Sequence, residues 1–251
     1  MSGHSKWANI KHRKAQVDAK KGRLYSKLGR EIMMAARRGG GNPETNFRLK
    51  VAIQKARDAS LPSENIMRAI RRGTGELEGE QLEEFTYEGY GPGGAAIYLE
   101  LLSSNRNRTA ADIRHLFAHH GGNLGESGCV AWMFEKRGYL AVEPGPGGMG
   151  EEDLMMVALE AGADDLKPEG SGFAVITAPE ALERVRQAFE ARGVKVARAE
   201  ITMLPKSTVL VEGRDAERLL ELMDALEEHE DVQNVYANFD IPDEVWERYA
   251  G

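Results

Sequence analysis

A single cysteine, Cys129, occurs among the 251 residues. That excludes an internal disulfide and any zinc site built from several cysteines, and it points to a reducing, cytoplasmic compartment. Long apolar runs are missing too: nothing approaches the roughly 18 consecutive apolar residues of a membrane helix, so no membrane partner is expected. No short apolar core follows the basic start, so a secretory leader is not expected. An Arg-rich, acid-poor mitochondrial transit peptide is the competing reading, opposed by basic character that runs on through well-patterned helices. Nucleotide loops are absent as well, because YGPGG (90–94) and PGPGGMG (144–150) lack the Lys-Ser/Thr ending of a P-loop and read as turns. His115 and His119 have the i, i+4 spacing of a two-histidine zinc face. Leu116 stands where the Glu of that pattern belongs, and no third ligand is evident, so no metal or cofactor is expected. Cys129 has no activating pattern beside it and reads as a packing residue. With no converging nucleophile or acid–base pair, the expectation is a protein that is not an enzyme.

What the chain does have is charge, unevenly placed. The total is −7, yet residues 1–75 carry 18 Lys and Arg against 5 acids, a net of +13, and the remainder nets −20. An asymmetry of this size suggests a polyanion-binding module on an acidic body. Mutual attraction of the two parts is the plainer reading. The striping of the charge argues for the polyanion.

The stripes appear in the helical periodicity. Over 18–38, Leu24, Leu28, Ile32 and Ala35 line one side of a helix, and Lys20, Arg23, Lys27, Arg30 and Arg37 the opposite side. Gly39–Gly41 end it. A second helix is expected from Pro43 to about residue 59, with Phe47, Val51 and Ala52 inward. A third starts at Pro62, packing Ile66 and Ile70 while Arg68, Arg71 and Arg72 share a side.

From residue 93 onward the period changes to that of strands. Strands are expected at 93–103, 128–136 and 138–143, with a helix ADIRHLFAHH opened by a Thr109–Asp112 capping pattern. Residues 138–203 then read β-α-β-β-α-β, the ferredoxin-like order. The flanking segments, 95–136 and KSTVLVEG through VQNVYANFDI, supply a second such unit split around the first. The fold class is therefore α+β: an N-terminal three-helix domain with a basic arm, followed by two ferredoxin-like α/β domains, one inserted in the other. The expected limits are 1–75 for the helical domain, 76–137 with 204–251 for the discontinuous domain, and 138–203 for the inserted one.

Several blocks occur in a characteristic order: GHSKWANIKHRKA, GGGNP, PSENIMRAIRRGTG, YEGYGPGGAAIYLE, NRNRT and GGNLGESGCVAWMFE. Together they resemble the YebC family over nearly the whole chain, with looser agreement after about residue 145. The resemblance implies an N-terminal helical domain and two α/β domains, one of them discontinuous. It also implies a gene-expression role: the family has been labelled as probable DNA-binding transcriptional regulators. Its mitochondrial members look like translational activators, and bacterial members like ribosome-associated factors that help elongation through proline-rich stretches. It supplies no active-site residues to carry over.

The candidate nucleic-acid contacts follow from the charge pattern. In the arm these are Lys6, Trp7, Lys11, His12, Arg13 and Lys14; in the helices Lys20, Arg23, Lys27, Arg30, Arg37, Arg68, Arg71 and Arg72. Trp7 stacks on a base or packs on the first helix; both readings stand. Arg106 and Arg108, in the loop SNRNRT before a helix N-terminus, either bind phosphate or pair with nearby acids. The acidic runs 78–84 and 227–231 read as solvated face that keeps nucleic acid off the body. The resulting expectation is a monomeric, cytoplasmic, ribosome-associated translation factor contacting ribosomal RNA. Its alternative is a DNA-binding transcriptional regulator.

Overall fold

The computed structural model describes residues 18–79, 81–144, 148–170 and 172–250. Three helices come first: α1 (Asp18–Gly39), α2 (Phe47–Asp58) and α3 (Ser63–Thr74). Their shared core is Leu28, Ile32, Ala35, Leu49, Ala52, Ile66 and Ile70. On the second helix the expected inward set is only partly right: Ala52 is buried, Val51 is half-buried and Phe47 is exposed, because Leu49 and Ile53 take the inward side. The second helix starts later than Pro43 because Asn46 is a better cap. Its side chain accepts from the Leu49 N–H at 3.1 Å and donates to the Ala35 and Gly40 carbonyls, each at 2.8 Å, closing the reversal after α1. Helices α1 and α3 approach very closely at Gly73, where an added Cβ would lie 2.3 Å from the Met33 carbonyl oxygen.

Strands β1 (Glu83–Tyr90), β2 (Ala96–Ser103), β3 (Asn123–Leu124) and, later, β9 (Val232–Ala237) form an antiparallel sheet in the order β3-β1-β2-β9. Helix α4 (Arg106–His119) follows β2, and a second helix, Gly213–Glu228, precedes β9. Both pack on the sheet, so Ile97, Leu99 and Leu101 are buried with Ile113, Phe117, Leu219, Met223 and Leu226. Met33 and Met34 of α1 meet Leu82 and Leu102 at one edge of this structure.

In chain order between β3 and β9, residues Phe134–Leu204 form a compact unit of their own. It contains β4 (Phe134–Glu143), α5 (Glu151–Glu160), β5 (Asp165–Glu169), β6 (Gly172–Thr177), α6 (Leu182–Ala191) and most of β7 (Lys195–Pro205). The order β5-β6-β4-β7 is the ferredoxin-like arrangement, with Leu140, Leu154, Val175, Val185 and Phe189 in the core. After it come β8 (Val209–Leu210), α7 (Gly213–Glu228), β9, β10 (Phe239–Asp240) and α8 (Asp243–Ala250). The α+β class, with a helical start and two sheet-bearing units, is as the sequence leads one to expect.

Four further local expectations are corrected. Residues 128–136 are not one strand: a loop and a 3-10 turn at Ala131–Met133 precede β4. The buried Glu88 carboxylate accepts the N–H groups of Gly128, Val130 and Ala131 at 2.7, 2.8 and 2.7 Å, which takes them out of any ladder. Thr109 does not cap α4. Asn105 does, accepting from the Arg108 N–H at 3.1 Å, so the helix begins earlier. The acidic run 78–84 leads into β1, paired with β2 from Glu83↔Ser103 to Tyr90↔Ala96. Finally, KSTVLVEG does not enter the main sheet. Its two-residue β8 pairs in parallel with β10, and β1 takes the place between β2 and β3.

Candidate nucleic-acid interface

The cations of the helical segment divide into two sets once their surroundings are known. On α1, Arg23, Lys27 and Arg30 face the end of α7 and the turn after it. The Arg23 guanidinium lies 3.5 Å from the Glu228 carboxylate, Lys27 Nζ donates to the Glu227 carbonyl at 2.6 Å, and Arg30 donates to the Glu230 carbonyl at 2.9 Å. The last carbonyls of a helix carry partial negative charge and lack intrahelical partners; Lys27 satisfies one of them, and Arg23 and Arg30 place further positive charge beside that helix end. Arg37 donates to the Leu82 carbonyl at 3.4 Å, while Arg38 and Arg48 converge on the Glu84 carboxylate.

Behind this contact sits Asp231, whose side chain is 3% exposed. It accepts from Arg108 at 2.8 Å and from the Thr109 hydroxyl at 2.7 Å, and Arg30 approaches to 3.8 Å. Burial pushes the Asp231 carboxyl upward, but hydrogen bonds from Arg108, Thr109 and Ser103 outweigh it and hold the group below the ordinary carboxylate range. The same bond raises the Arg108 guanidinium. Of the loop arginines, Arg108 is thus engaged with an internal acid. Arg106 lies over the Phe85 ring at 5.2 Å, and its carbonyl accepts from the Tyr87 hydroxyl at 3.3 Å.

Helix α3 presents the second set. Ile66, Ala69, Ile70 and Gly73 are buried, whereas Arg68, Arg71 and Arg72 are exposed. Arg68 pairs with Glu64 one turn away at 3.2 Å, an exposed contact of small energetic weight. Arg71 and Arg72 make no ion pair among the described residues. Between α1 and α3 an open cleft of 710 Å³ is lined by Tyr25, Ser26, Arg30, Asn65, Arg68 and Arg72, among others. Arg30 is held by the Glu230 carbonyl and Arg68 by Glu64, and Glu78 also lines the cleft, so Arg72 is the guanidinium there with no ion pair among the described residues. Lys6, Trp7, Lys11, His12, Arg13 and Lys14 lie outside the described residues, as does the side chain of Lys20.

The remaining motifs have structural surroundings. His115 and His119 stack at 5.9 Å, and His120 stands 3.7 Å from Glu221. Burial, then the Glu88 charge, pushes the Cys129 thiol up, away from the reactive thiolate. Among the described residues no group of three or more His, Cys, Asp or Glu could hold a metal ion, and no helix is long and apolar enough to cross a membrane. Sequence reasoning missed Glu84, Glu88 and Asp231 as the acids that organise this unit. The available signals were the acidic runs 78–84, which contains Glu84, and 227–231, which contains Asp231.

This arrangement defines a helical, arginine-bearing segment joined to sheet-bearing units, and comparison with known proteins gives it a place. Residues 5–76 match the family model described as the TACO1/YebC protein N-terminal domain, and residues 82–239 that of the TACO1/YebC second and third domain. The chain belongs to the TACO1/YebC family. It is 59% identical over 243 residues to a protein of Pelotomaculum thermopropionicum named "Probable transcriptional regulatory protein", covering 97% of this chain and 100% of that one. A Carboxydothermus hydrogenoformans protein of the same name is 58% identical, over 97% of this chain and 100% of its own length. Among solved structures, the conserved hypothetical protein Aq1575 of Aquifex aeolicus matches with a TM-score of 0.80 and 49% identity, over 91% of this chain and 93% of that one.

Proposed function

We propose that this protein is a non-enzymatic, nucleic-acid-binding regulator of gene expression that works at the ribosome by contacting ribosomal RNA. The observation that carries this reading is the exposed arginine side of α3, with Arg71 and Arg72 unneutralised among the described residues, inside a 1–75 segment of net +13. In the sequence, Lys6, Lys11, Arg13 and Lys14 add cations to the same basic segment, with Trp7 and His12 as further candidate contacts. RNA is favoured over duplex DNA by the packing of α3. A recognition helix of a helix-turn-helix protein docks with the helix before it, whereas α3 is held principally by α1 through the Gly73 contact. On this reading the factor aids elongation through proline-rich stretches as a cytoplasmic monomer.

The relatives' name supports a second reading, a DNA-binding transcriptional regulator. In-cell crosslinking with sequencing of all bound nucleic acid separates the two. Discrete ribosomal RNA positions, lost in an Arg71→Glu/Arg72→Glu variant, are the expected result. A few promoter segments, with ribosomal RNA at background, would overturn the ribosomal reading in favour of the regulator.

A further inference from the structure

The loop between β3 and β4 carries a feature that the arginine surface does not account for. Trp132 is 65% exposed and Tyr90 37% exposed, and neither ring is loosely held. The Trp132 indole N–H donates to the Cys129 carbonyl at 3.1 Å, and the Tyr90 hydroxyl donates to that same oxygen at 3.2 Å. The loop beneath is anchored by the three backbone N–H groups bound to Glu88, and Gly125 donates to the Glu88 carbonyl at 2.8 Å. Lys206 closes the arrangement: its ammonium donates to the Trp132 carbonyl at 2.9 Å, and its own N–H to the Met133 carbonyl at 2.9 Å.

Two aromatic side chains whose polar ends are already satisfied, on a loop pinned by a buried carboxylate, offer solvent their apolar surface at little entropic cost. We propose that Trp132, flanked by Tyr90 and Lys206, is a stacking platform for an unpaired base of single-stranded RNA, a second contact distinct from the α3 arginines. This rests on the RNA reading above. A base fits better than a duplex. The indole N–H is spent on the loop itself, leaving a π-face that any base can cover. The Lys206 ammonium, with the Glu126 carboxylate on the same loop as Trp132, suits one nucleotide rather than a row of phosphates.

The test uses the full-length protein and an unstructured RNA of about 12 nucleotides, within the span that stacking proteins occupy. Trp132→Ala is expected to weaken binding about tenfold without changing its salt dependence, because stacking releases no counterions. Trp132→Phe should recover most of the loss, and ultraviolet crosslinks should map to the Trp132 peptide. Affinity of Trp132→Ala equal to wild type, with the α3 variant still impaired, assigns the patch to another occupant, a protein surface included, and overturns this inference alone. Failure of the wild type to bind RNA at low salt, with retained binding to duplex DNA, removes the RNA reading and this inference with it.

Discussion

Helices α1 and α3 carry cations of the same kind at similar density, and the fold treats them in opposite ways. On α1, Arg23, Lys27 and Arg30 end on the carbonyls and carboxylates of residues 227–231. On α3, Arg71 and Arg72 meet no acid among the described residues. The acidic run 227–231, expected to keep nucleic acid away from the body, is instead the partner that draws in three of the five cations of the α1 stripe. A count of charge along a chain therefore measures how much is present, and only its surroundings decide how much is left for a ligand.

The comparison can be broken most forcefully where the two helices touch. Gly73→Ala sets a Cβ 2.3 Å from the Met33 carbonyl, backbone that cannot swing aside. A cost of about 3 kcal/mol is expected, read as a melting temperature lower by roughly 6 °C or more. Unchanged melting would show that α3 is not held by this contact.

Asp231 tests the α1 side. Asp231→Ala strips the buried acceptor from Thr109 and its neighbours and is expected to cost about 2 kcal/mol at neutral pH. The pH dependence has a definite sign. Because the folded carboxyl sits below its ordinary value of about 3.9, its contribution is complete above that pH and disappears as pH falls through the folded value. Wild type and Asp231→Asn should therefore differ in melting temperature at neutral pH and converge on acidification below about pH 4. A constant gap would assign the effect to packing.

The α3 side should behave in the reverse manner. Arg71→Glu/Arg72→Glu is expected to leave stability within about 0.5 kcal/mol and to lower RNA affinity, reducing the slope of log K against log salt by about 2. Lost stability with intact binding would reverse the assignment of the two helices. Smallest of all, Arg23→Ala removes a half-exposed pair and should change stability by less than about 0.5 kcal/mol by chemical denaturation.

Much of the architecture was legible in particular residues. The spacing of Leu28, Ile32 and Ala35, and of Ile66 and Ile70, marked buried sides of helices because residues three or four apart share a helix face; on the second helix the same reasoning chose Phe47, which is exposed. The β-α-β-β-α-β order of the inserted unit was readable for the same reason, each element being long enough to carry its own period. Strand β1 was missed although Phe85 and Tyr87 alternate within it, since the acids before it masked a two-residue period. Asn46 caps a helix that was expected to start at Pro43, and Asn105 took the capping role assigned to Thr109, because a cap is decided by which side chain reaches a free N–H.

By itself, then, the sequence determined the α+β class, the two helical stripes and the net imbalance of +13 against −20, all of which are local or additive properties. The tertiary structure alone decided which cations remain available. That is a matter of contacts across about 200 residues, Lys27 to Glu227 and Arg30 to Glu230, and Coulomb energy depends on distance in space, to which separation along the chain is no guide.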